Sequence, residues 1–261
     1  MAGETIKTEA ICLDIRPWSR TSHVVSWLTP NGKVVTVVKG AVRAKSLFLG
    51  QYDLNYTCEI LYYARAKGEV HALRDCVPVE RRDELRGDYK ALALAGYFRR
   101  LVAELAPAGE ECRDWYEALR QGIDFCTSFT SGRETASPLG MMLGFELEVL
   151  RLSGLKPDFS GYDRDADWSA FSVETGAFGA TEGRCIRVSR EVAEYLACMA
   201  GAGRPRPPGC HGILSVSRKN SQIPLDAARV IGVFYQFHVD SASDVRRLVL
   251  GMISSNKEGS C

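Results

Sequence analysis

The apolar residues of this chain change their spacing at Pro78, and this change separates a strand-rich first part from a helix-rich remainder. Before Pro78, β-branched and aromatic residues cluster in short segments that predict five strands, at 8–15, 23–29, 33–39, 54–63 and 69–77. Pro30-Asn31-Gly32 predicts a tight hairpin turn, because Asn and Gly tolerate positive φ. Five strands in so short a segment suit a small closed barrel, and the OB-fold is the usual barrel of that size.

After Pro78 the apolar residues recur at helical spacing. This spacing predicts helices over 83–106, 115–129, 139–153, 189–199, 224–239 and 243–253. Ser137-Pro138 predicts the start of the third helix, since serine caps a helix and proline suits its first position. The helical period is lost over 156–186, where 168–173 and 177–180 flank Glu174-Thr175-Gly176 and predict a small hairpin.

The predicted fold class is therefore α+β, with an N-terminal five-stranded OB-fold barrel followed by a mostly helical domain. A small β insert interrupts the helical domain. The predicted domains are the OB-fold at 1–80, the first helical part at 81–155, the insert at 156–186 and the C-terminal helical part at 187–261.

Between residues 15 and 52 the chain carries six basic residues and no acidic one, although its net charge is only +1. The six are Arg16, Arg20, Lys33, Lys39, Arg43 and Lys45. A sorted positive surface attracts polyanions, of which nucleic acid is the commonest in a cell. Four aromatic residues lie in the same run and are candidates for stacking on bases: Trp18, Trp27, Phe48 and Tyr52. Trp27, inside a predicted strand, is expected in the barrel core.

The segment from Lys39 to Ser46 is the strongest candidate for phosphate contact. We expect a polar, basic loop, and its three cations between small spacers suggest charge on mobile backbone that can track phosphates. Nothing in it resembles base-edge readout, so we expect contact that is independent of sequence. For Arg16 or Arg20 alone, a role in solubility or in blocking strand-edge pairing is equally compatible.

A second set of basic residues lies near the C-terminus. Residues 1–80 hold ten basic and eight acidic residues, 81–198 hold fifteen and twenty, and 199–261 hold eight and four. The candidates in the last segment are Arg218, Lys219, Arg229, Arg246 and Arg247. They would either extend a DNA track or receive the acidic tail of a partner, where an arginine would pair a terminal carboxylate.

The sequence argues against catalysis and against metal binding. Gly32-Lys33 lacks the earlier glycine of a phosphate-binding loop, because Trp27 occupies that position. Cys210-His211 are neighbours in a proline-rich segment, which does not indicate a nucleophile–base pair. The nine cysteines include no C-x-x-C pair, and the acidic cluster from Asp163 to Asp167 lacks the glycine and glutamate of a calcium loop. We expect no enzyme activity, no cofactor and no zinc.

Targeting signals are also missing from the sequence. The first ten residues, MAGETIKTEA, lack the apolar core of a signal peptide, and no segment approaches the length of a membrane span. Scattered thiols fit a reducing compartment. We therefore expect a cytoplasmic protein.

Several motifs resemble the RecO family of bacterial DNA repair proteins. Residues 8–22 (TEAICLDIRPWSRTS), 29–33 (TPNGK) and 37–46 (VVKGAVRAKS) are similar to its N-terminal domain, in which an RPYSE-like turn precedes a strand pair and a KGARR-x-KS-like loop follows. Residues 50–52 (GQY) take the place of the glycine and Q-P-F-like segment that come next in the family.

The resemblance touches most of the chain, and it is most specific in 8–50 and 145–159 and weak in 186–261. Residues 68–76 (GEVHALRDC) are similar to the family's G-E-L hairpin, and 145–159 (FELEVLRLSGLKPDF) are similar to its F-E-L…P-x-F helix end. His238 lies where the family usually has a histidine. Many members carry two C-x-x-C pairs after the P-D-F segment that bind structural zinc, but 161–181 contains no cysteine. The insert is therefore expected to be a degenerate zinc-finger-like unit held by packing around Trp168, Phe171 and Phe178.

The resemblance implies a mediator of DNA repair and homologous recombination in the RecF pathway, active at the nucleoid and without covalent chemistry. Such proteins bind single- and double-stranded DNA and anneal complementary strands. With RecR and RecF they load recombinase onto DNA coated by single-strand-binding protein, whose acidic, hydrophobic tail they recognise through the helical domain. The expected DNA contacts are Arg16, Trp18, Arg20, Lys33, Lys39, Arg43 and Lys45. The alternative is an OB-fold scaffold that binds protein partners and not DNA.

Overall fold

The computed structural model describes residues 4–65, 70–109, 111–130, 137–179, 183–201, 222–239 and 243–254. The chain divides into two compact units, Met1–Arg133 and Glu134–Cys261. A closed five-stranded barrel is followed by a helical region, which confirms the predicted α+β class at this level.

The barrel comprises β1 (Thr5–Ser19), β2 (Ser22–Thr29), β3 (Gly32–Val38), β4 (Thr57–Tyr63) and β5 (Val70–Glu80). Its strand order is β1-β2-β3-β5-β4, with β4 returning to β1, and β3 and β5 form its parallel pair. β1 is longer than predicted and continues through Pro17. The proline is tolerated because β4 pairs with β1 only as far as Ile11, so this part of β1 pairs with β2 alone.

The barrel interior contains alternate residues of each strand, among them Val25, Trp27, Cys58 and Ile60. Trp27 is fully buried and donates its indole N–H to Thr36 Oγ1 at 2.8 Å. The expectation that Trp27 belongs to the core is confirmed. A buried indole with a satisfied N–H is a stable core element, and this ring is unavailable for stacking on a ligand.

A short 3-10 helix, Asp83–Gly87, leads into α1 (Tyr89–Leu105), and α2 (Arg113–Thr130) follows. The buried Arg82 guanidinium donates to the Asn55 carbonyl and Thr57 Oγ1 in the barrel, and it pairs with Asp124 of α2 at 2.8 Å. This buried cation bonds α2 to the barrel wall. Residues 81–133 therefore belong to the same compact unit as the barrel, whereas the sequence grouped them with the later helices.

The second unit contains α3 (Pro138–Leu152), β6 (Trp168–Ser172), β7 (Cys185–Ser189), α4 (Arg190–Gly201), α5 (Gln222–His238) and α6 (Ser243–Ser254). The predicted cap of α3 is confirmed, since the Ser137 hydroxyl accepts the Gly140 amide at 3.0 Å. No helix in the described part of the chain is long and apolar enough to cross a membrane.

The hairpin predicted within the insert forms only in part. The long partner of β6 is β7, whereas Ala177 and Phe178 form isolated bridges, to Asp158 and to Phe171. The amides of Ser172 and Gly179 donate to the carbonyls of Ala177 and Ala170, at 2.9 and 3.2 Å. The reason is that Gly176 and Gly179 both have positive φ, at 69° and 86°, so the chain turns again before a second strand can extend.

Aromatic side chains pack together within the insert. The sequence predicted packing around Trp168, Phe171 and Phe178, and the two phenylalanines confirm it. Phe171 lies 5.3 Å from both Phe159 and Phe178, measured between ring centroids. Trp168 differs from the expectation, because 52% of it is exposed and Arg187 lies over its ring at 5.2 Å. Among the residues that the structure describes, no three His, Cys, Asp or Glu side chains are grouped to hold a metal ion.

Candidate nucleic-acid interface

The turn between β1 and β2 and the long loop after β3 lie side by side at one end of the barrel. The Val42 amide donates to the Thr21 carbonyl at 3.4 Å, and the Gly40 amide donates to Ser22 Oγ at 3.3 Å. These bonds bring Arg20, on the turn, close to the loop that carries Lys39, Arg43 and Lys45. Two basic segments that are separated in the sequence therefore form one surface, which we call the barrel-end surface: Trp18, Arg20, Lys39, Arg43 and Lys45.

The loop over residues 39–52 is a succession of hydrogen-bonded turns. Three of these turns close through amide-to-carbonyl bonds from Arg43 to Gly40 at 3.1 Å, from Ser46 to Arg43 at 2.8 Å and from Leu49 to Ser46 at 3.4 Å. Gly40 has a φ of 68°, which a glycine adopts without strain. The loop that carries the three cations therefore has a defined arrangement of backbone turns, and its expected mobility stays a prediction.

Three side chains anchor the loop to the barrel. Ala41 is buried in the core, and Phe48 and Tyr52 pack against it. The Tyr52 hydroxyl lies 2.8 Å from His23 Nδ1, and its ring meets the Trp27 ring edge-on at 5.9 Å. Burial raises the pKa of Tyr52, so its hydroxyl stays neutral. Phe48 and Tyr52, which were candidates for stacking on bases, serve here to position the loop.

The cations of the barrel-end surface are exposed, and they have no acidic partner within the described ranges. Among the described residues, no ion pair involves Arg20, Lys39, Arg43 or Lys45. Arg16 differs, because its guanidinium pairs with Asp14 at 2.5 Å and both side chains are exposed. Asp14 lies just before the acid-free run, so the sequence count did not include it. Arg16 is therefore a weaker candidate for phosphate contact than the other four cations.

A β-bulge places Trp18 in solvent. The pairing of β1 with β2 shifts register between Pro17 and Ser19, so Trp18 has no partner opposite it. The residue is 71% exposed. Bulges commonly redirect a side chain at the rim of a barrel. Trp18 thus presents an aromatic face beside Arg20, in a position suited to stacking on a base.

Lys33 lies away from the barrel-end surface. Its pairing partner is Leu28, five residues along β2 from His23, which corresponds to about 17 Å at the rise of a strand. Lys33 Nζ donates to the Ala103 carbonyl at 3.1 Å, in the last turn of α1, and burial lowers the pKa of this lysine. Of the seven expected DNA contacts, Lys33 is the one that the structure separates from the rest.

The loop also carries exposed apolar side chains that the sequence analysis did not single out. Val42 is 48% exposed, Leu47 88% and Leu49 56%. The description of the loop as simply polar and basic is therefore wrong. The sequence shows two leucines, Leu47 and Leu49, on either side of Phe48, and only Phe48 packs against the core.

The second set of basic residues is not a continuous exposed surface. Arg246 is buried and forms a bidentate pair with Glu146, at 2.8 and 3.0 Å, and also donates to the Ala228 carbonyl. The interpretation of Arg246 as part of a surface track is therefore corrected, because its charge is neutralised inside the second unit. Arg218 and Lys219 lie outside the described residues.

Arg229 and Arg247 are exposed, and each is paired with an acidic residue one turn earlier in its helix. Arg229 contacts Asp226 and Arg247 contacts Asp244, both at 2.6 Å. Exposed pairs of this kind are weak, so the arginines can exchange the carboxylate for another anion. Arg229 and Arg247 remain candidates for binding a phosphate or an acidic peptide. Because each is paired with an aspartate, the local net charge around them is close to zero.

Comparison with known proteins matches neither a family model nor a curated protein. The basis for a function is therefore the geometry of the barrel end and the residue motifs that lie in it.

Proposed function

We propose that the first unit is an OB-fold that binds DNA, and that the protein is a RecO-like mediator of recombination and repair. The strand order β1-β2-β3-β5-β4 with a parallel β3–β5 pair supports this. OB-folds bind oligonucleotides with the face of strands 2 and 3 and with the loops after strands 1 and 4. In this chain Trp18 lies in the last residues of β1, and Arg20 lies on the turn that follows.

The observation that carries the proposal is the hydrogen-bonded junction of two basic segments beside an exposed indole. The bond from Val42 to Thr21 joins them, and the cations on both sides have no acidic partner among the described residues. Each cation that neutralises a phosphate releases counterions, and a tryptophan face accepts any base. Such a surface binds DNA without reading its sequence.

The motifs at 8–46 and 145–159 extend the proposal to a mediator. Strand annealing requires cations that screen two phosphate backbones while their bases remain free to pair, and the barrel-end surface suits this task. The partners in this pathway would be RecR, RecF and the tail of single-strand-binding protein. We assign their recognition to protein surfaces outside the barrel end. The protein would act at the nucleoid in the cytoplasm, with neither zinc nor a catalytic group.

The proposal is tested by the salt dependence of binding to an unstructured, labelled oligonucleotide. For the full chain we expect affinity to fall steeply between low and physiological salt. The triple variant Lys39→Ala, Arg43→Ala, Lys45→Ala should bind every sequence more weakly, with a log–log salt slope reduced by about 2, because each phosphate contact on a single strand contributes about 0.7.

A matched triple variant controls for total charge. Lys7, Arg100 and Arg113 are exposed and ion-paired, and none belongs to the barrel-end surface, so their replacement by alanine removes the same charge. We expect this control to bind almost as the unmodified chain does. Equal slopes for the two triple variants, or no DNA binding at low salt, would contradict the proposal.

An annealing assay separates the mediator from the alternative scaffold. Complementary strands are mixed with the protein, with and without the cognate single-strand-binding protein, and the rate of duplex formation is measured. A mediator accelerates annealing in both cases. A scaffold that binds only proteins leaves the rate for bare DNA unchanged.

A further inference from the structure

Leu47 is the most exposed large apolar side chain in the described part of the first unit. Its exposure is 88%, and Val42 and Leu49 on the same loop are each about half exposed. Single exposed leucines are normal on protein surfaces, but Leu47 lies almost entirely in water and two further exposed apolar residues share its loop. Burying these side chains in a partner would recover the free energy that their exposure to water costs.

The loop holds Leu47 as a projection. The Ser46 hydroxyl accepts the Phe48 amide at 3.2 Å, and Phe48 packs inward on the barrel core. Leu47 lies between these two fixed residues. A side chain so exposed makes almost no contact with its own chain, so it does not line a groove for a peptide. It is buried only when it enters a partner.

The charges around the projection restrict the partner to an anion. Arg43 and Lys45 precede Leu47 on the same loop, and no acidic residue occurs between 15 and 52. DNA is a polyanion whose apolar interior, the stacked bases, lies directly behind its charged backbone. Proteins with this combination of basic residues and a leucine wedge insert the wedge between base steps.

We propose that Leu47 inserts between bases of DNA held by the loop cations, so that the barrel end prefers DNA whose bases unstack readily. Unstacking costs a few kcal/mol per step in paired DNA and least at a mismatch or a damaged base. The preferred substrates are therefore mismatched duplexes and junctions between duplex and single strand. This inference rests on the proposed DNA-binding function and names its substrate class.

The test compares a perfect duplex with one that has a central two-base mismatch and a fluorescent 2-aminopurine beside it. The full chain should bind the mismatched duplex several-fold more tightly, and 2-aminopurine fluorescence should rise as the base unstacks. Leu47→Ala should lose about fivefold in affinity for the mismatched duplex, together with the fluorescence rise, since less apolar area is buried. Its salt slope should stay unchanged, because no cation is removed.

Leu92→Ala is the matched control, since Leu92 is also an exposed leucine of the first unit but lies on α1. Leu92→Ala should keep the affinity for the mismatched duplex and the fluorescence rise of the unmodified chain. If Leu47→Ala also keeps both, while binding stays salt-dependent, the wedge is refuted and the proposed function stands. If the unmodified chain does not bind DNA at all, both the wedge and the proposed function are refuted. Binding to phosphatidylglycerol vesicles that Leu47→Ala abolishes, with DNA binding intact, would assign the projection to a lipid surface and overturn the wedge.

Discussion

The two units of this protein differ in what their basic side chains contact. On the loop of the first unit, Lys39, Arg43 and Lys45 are exposed and form no ion pair with any described residue. In the second unit, the three described members of the C-terminal basic set, Arg229, Arg246 and Arg247, are all paired with carboxylates. Net charge alone would rank the two ends the other way, because 199–261 has eight basic and four acidic residues against ten and eight in 1–80.

The difference follows from local geometry. A helix brings residues three apart onto one face, so Asp226 and Asp244 meet the arginines that follow them. The loop over residues 39–52 contains no acidic residue, and its cations are exposed. The positive field available to a partner therefore depends on pairing, and net charge alone is a poor guide to it.

The largest effect is expected from breaking the buried pair in the second unit. Arg246→Met should destabilise the protein by about 3–5 kcal/mol, because it leaves the buried Glu146 carboxylate without its cation. Urea denaturation followed by circular dichroism measures the loss. Arg247→Met, which breaks an exposed pair one residue away, should cost little.

A double replacement separates pairing from packing at this site. Glu146→Leu with Arg246→Met removes both charges, and it should recover much of the stability that Arg246→Met alone loses. If Arg246→Met leaves the urea midpoint unchanged, then the pair is not desolvated and the contrast between the units is smaller than the burial of Arg246 indicates.

A smaller effect is expected at Lys33, the one expected DNA contact that lies away from the barrel-end surface. Lys33→Met removes a cation from the C-terminal end of α1 and should destabilise the protein by about 0.3–1 kcal/mol. It should leave the salt slope of oligonucleotide binding unchanged, whereas Lys39→Met lowers that slope by about 0.7. An equal loss of slope in both variants would place Lys33 on the DNA surface.

The features that were predictable from sequence are those set by neighbouring residues. Clustered β-branched and aromatic residues and the Pro30-Asn31-Gly32 turn indicated the paired strands β2 and β3, and Ser137-Pro138 indicated the start of α3. Each of these signals lies within a few residues of the structure that it determines, so no knowledge of the fold is required.

The features that were missed depend on residues far apart in the chain. Arg246 meets Glu146 across 100 positions, and Lys33 reaches Ala103 across 70. The bulge at Trp18 is a property of the pairing between two strands, which the sequence of one strand does not reveal. The same holds for the candidate site: the cations were visible in the sequence, but their junction through Thr21 and Val42 was not.

The smallest effect is expected from the exposed arginines of the second unit. Arg229→Ala with Arg247→Ala should change oligonucleotide affinity by less than about twofold and leave the salt slope unchanged, because Asp226 and Asp244 already compensate both charges. The reverse variant, Asp226→Asn with Asp244→Asn, frees the arginines without adding a cation. If this reverse variant increases the salt slope, then the second unit can contact DNA, and the ion pairs with Asp226 and Asp244 prevent that contact in the unmodified chain. If the alanine variant itself lowers the slope by about 1 or more, the exposed ion pairs do not neutralise these arginines. The contrast between unpaired cations in the first unit and neutralised ones in the second would then be wrong.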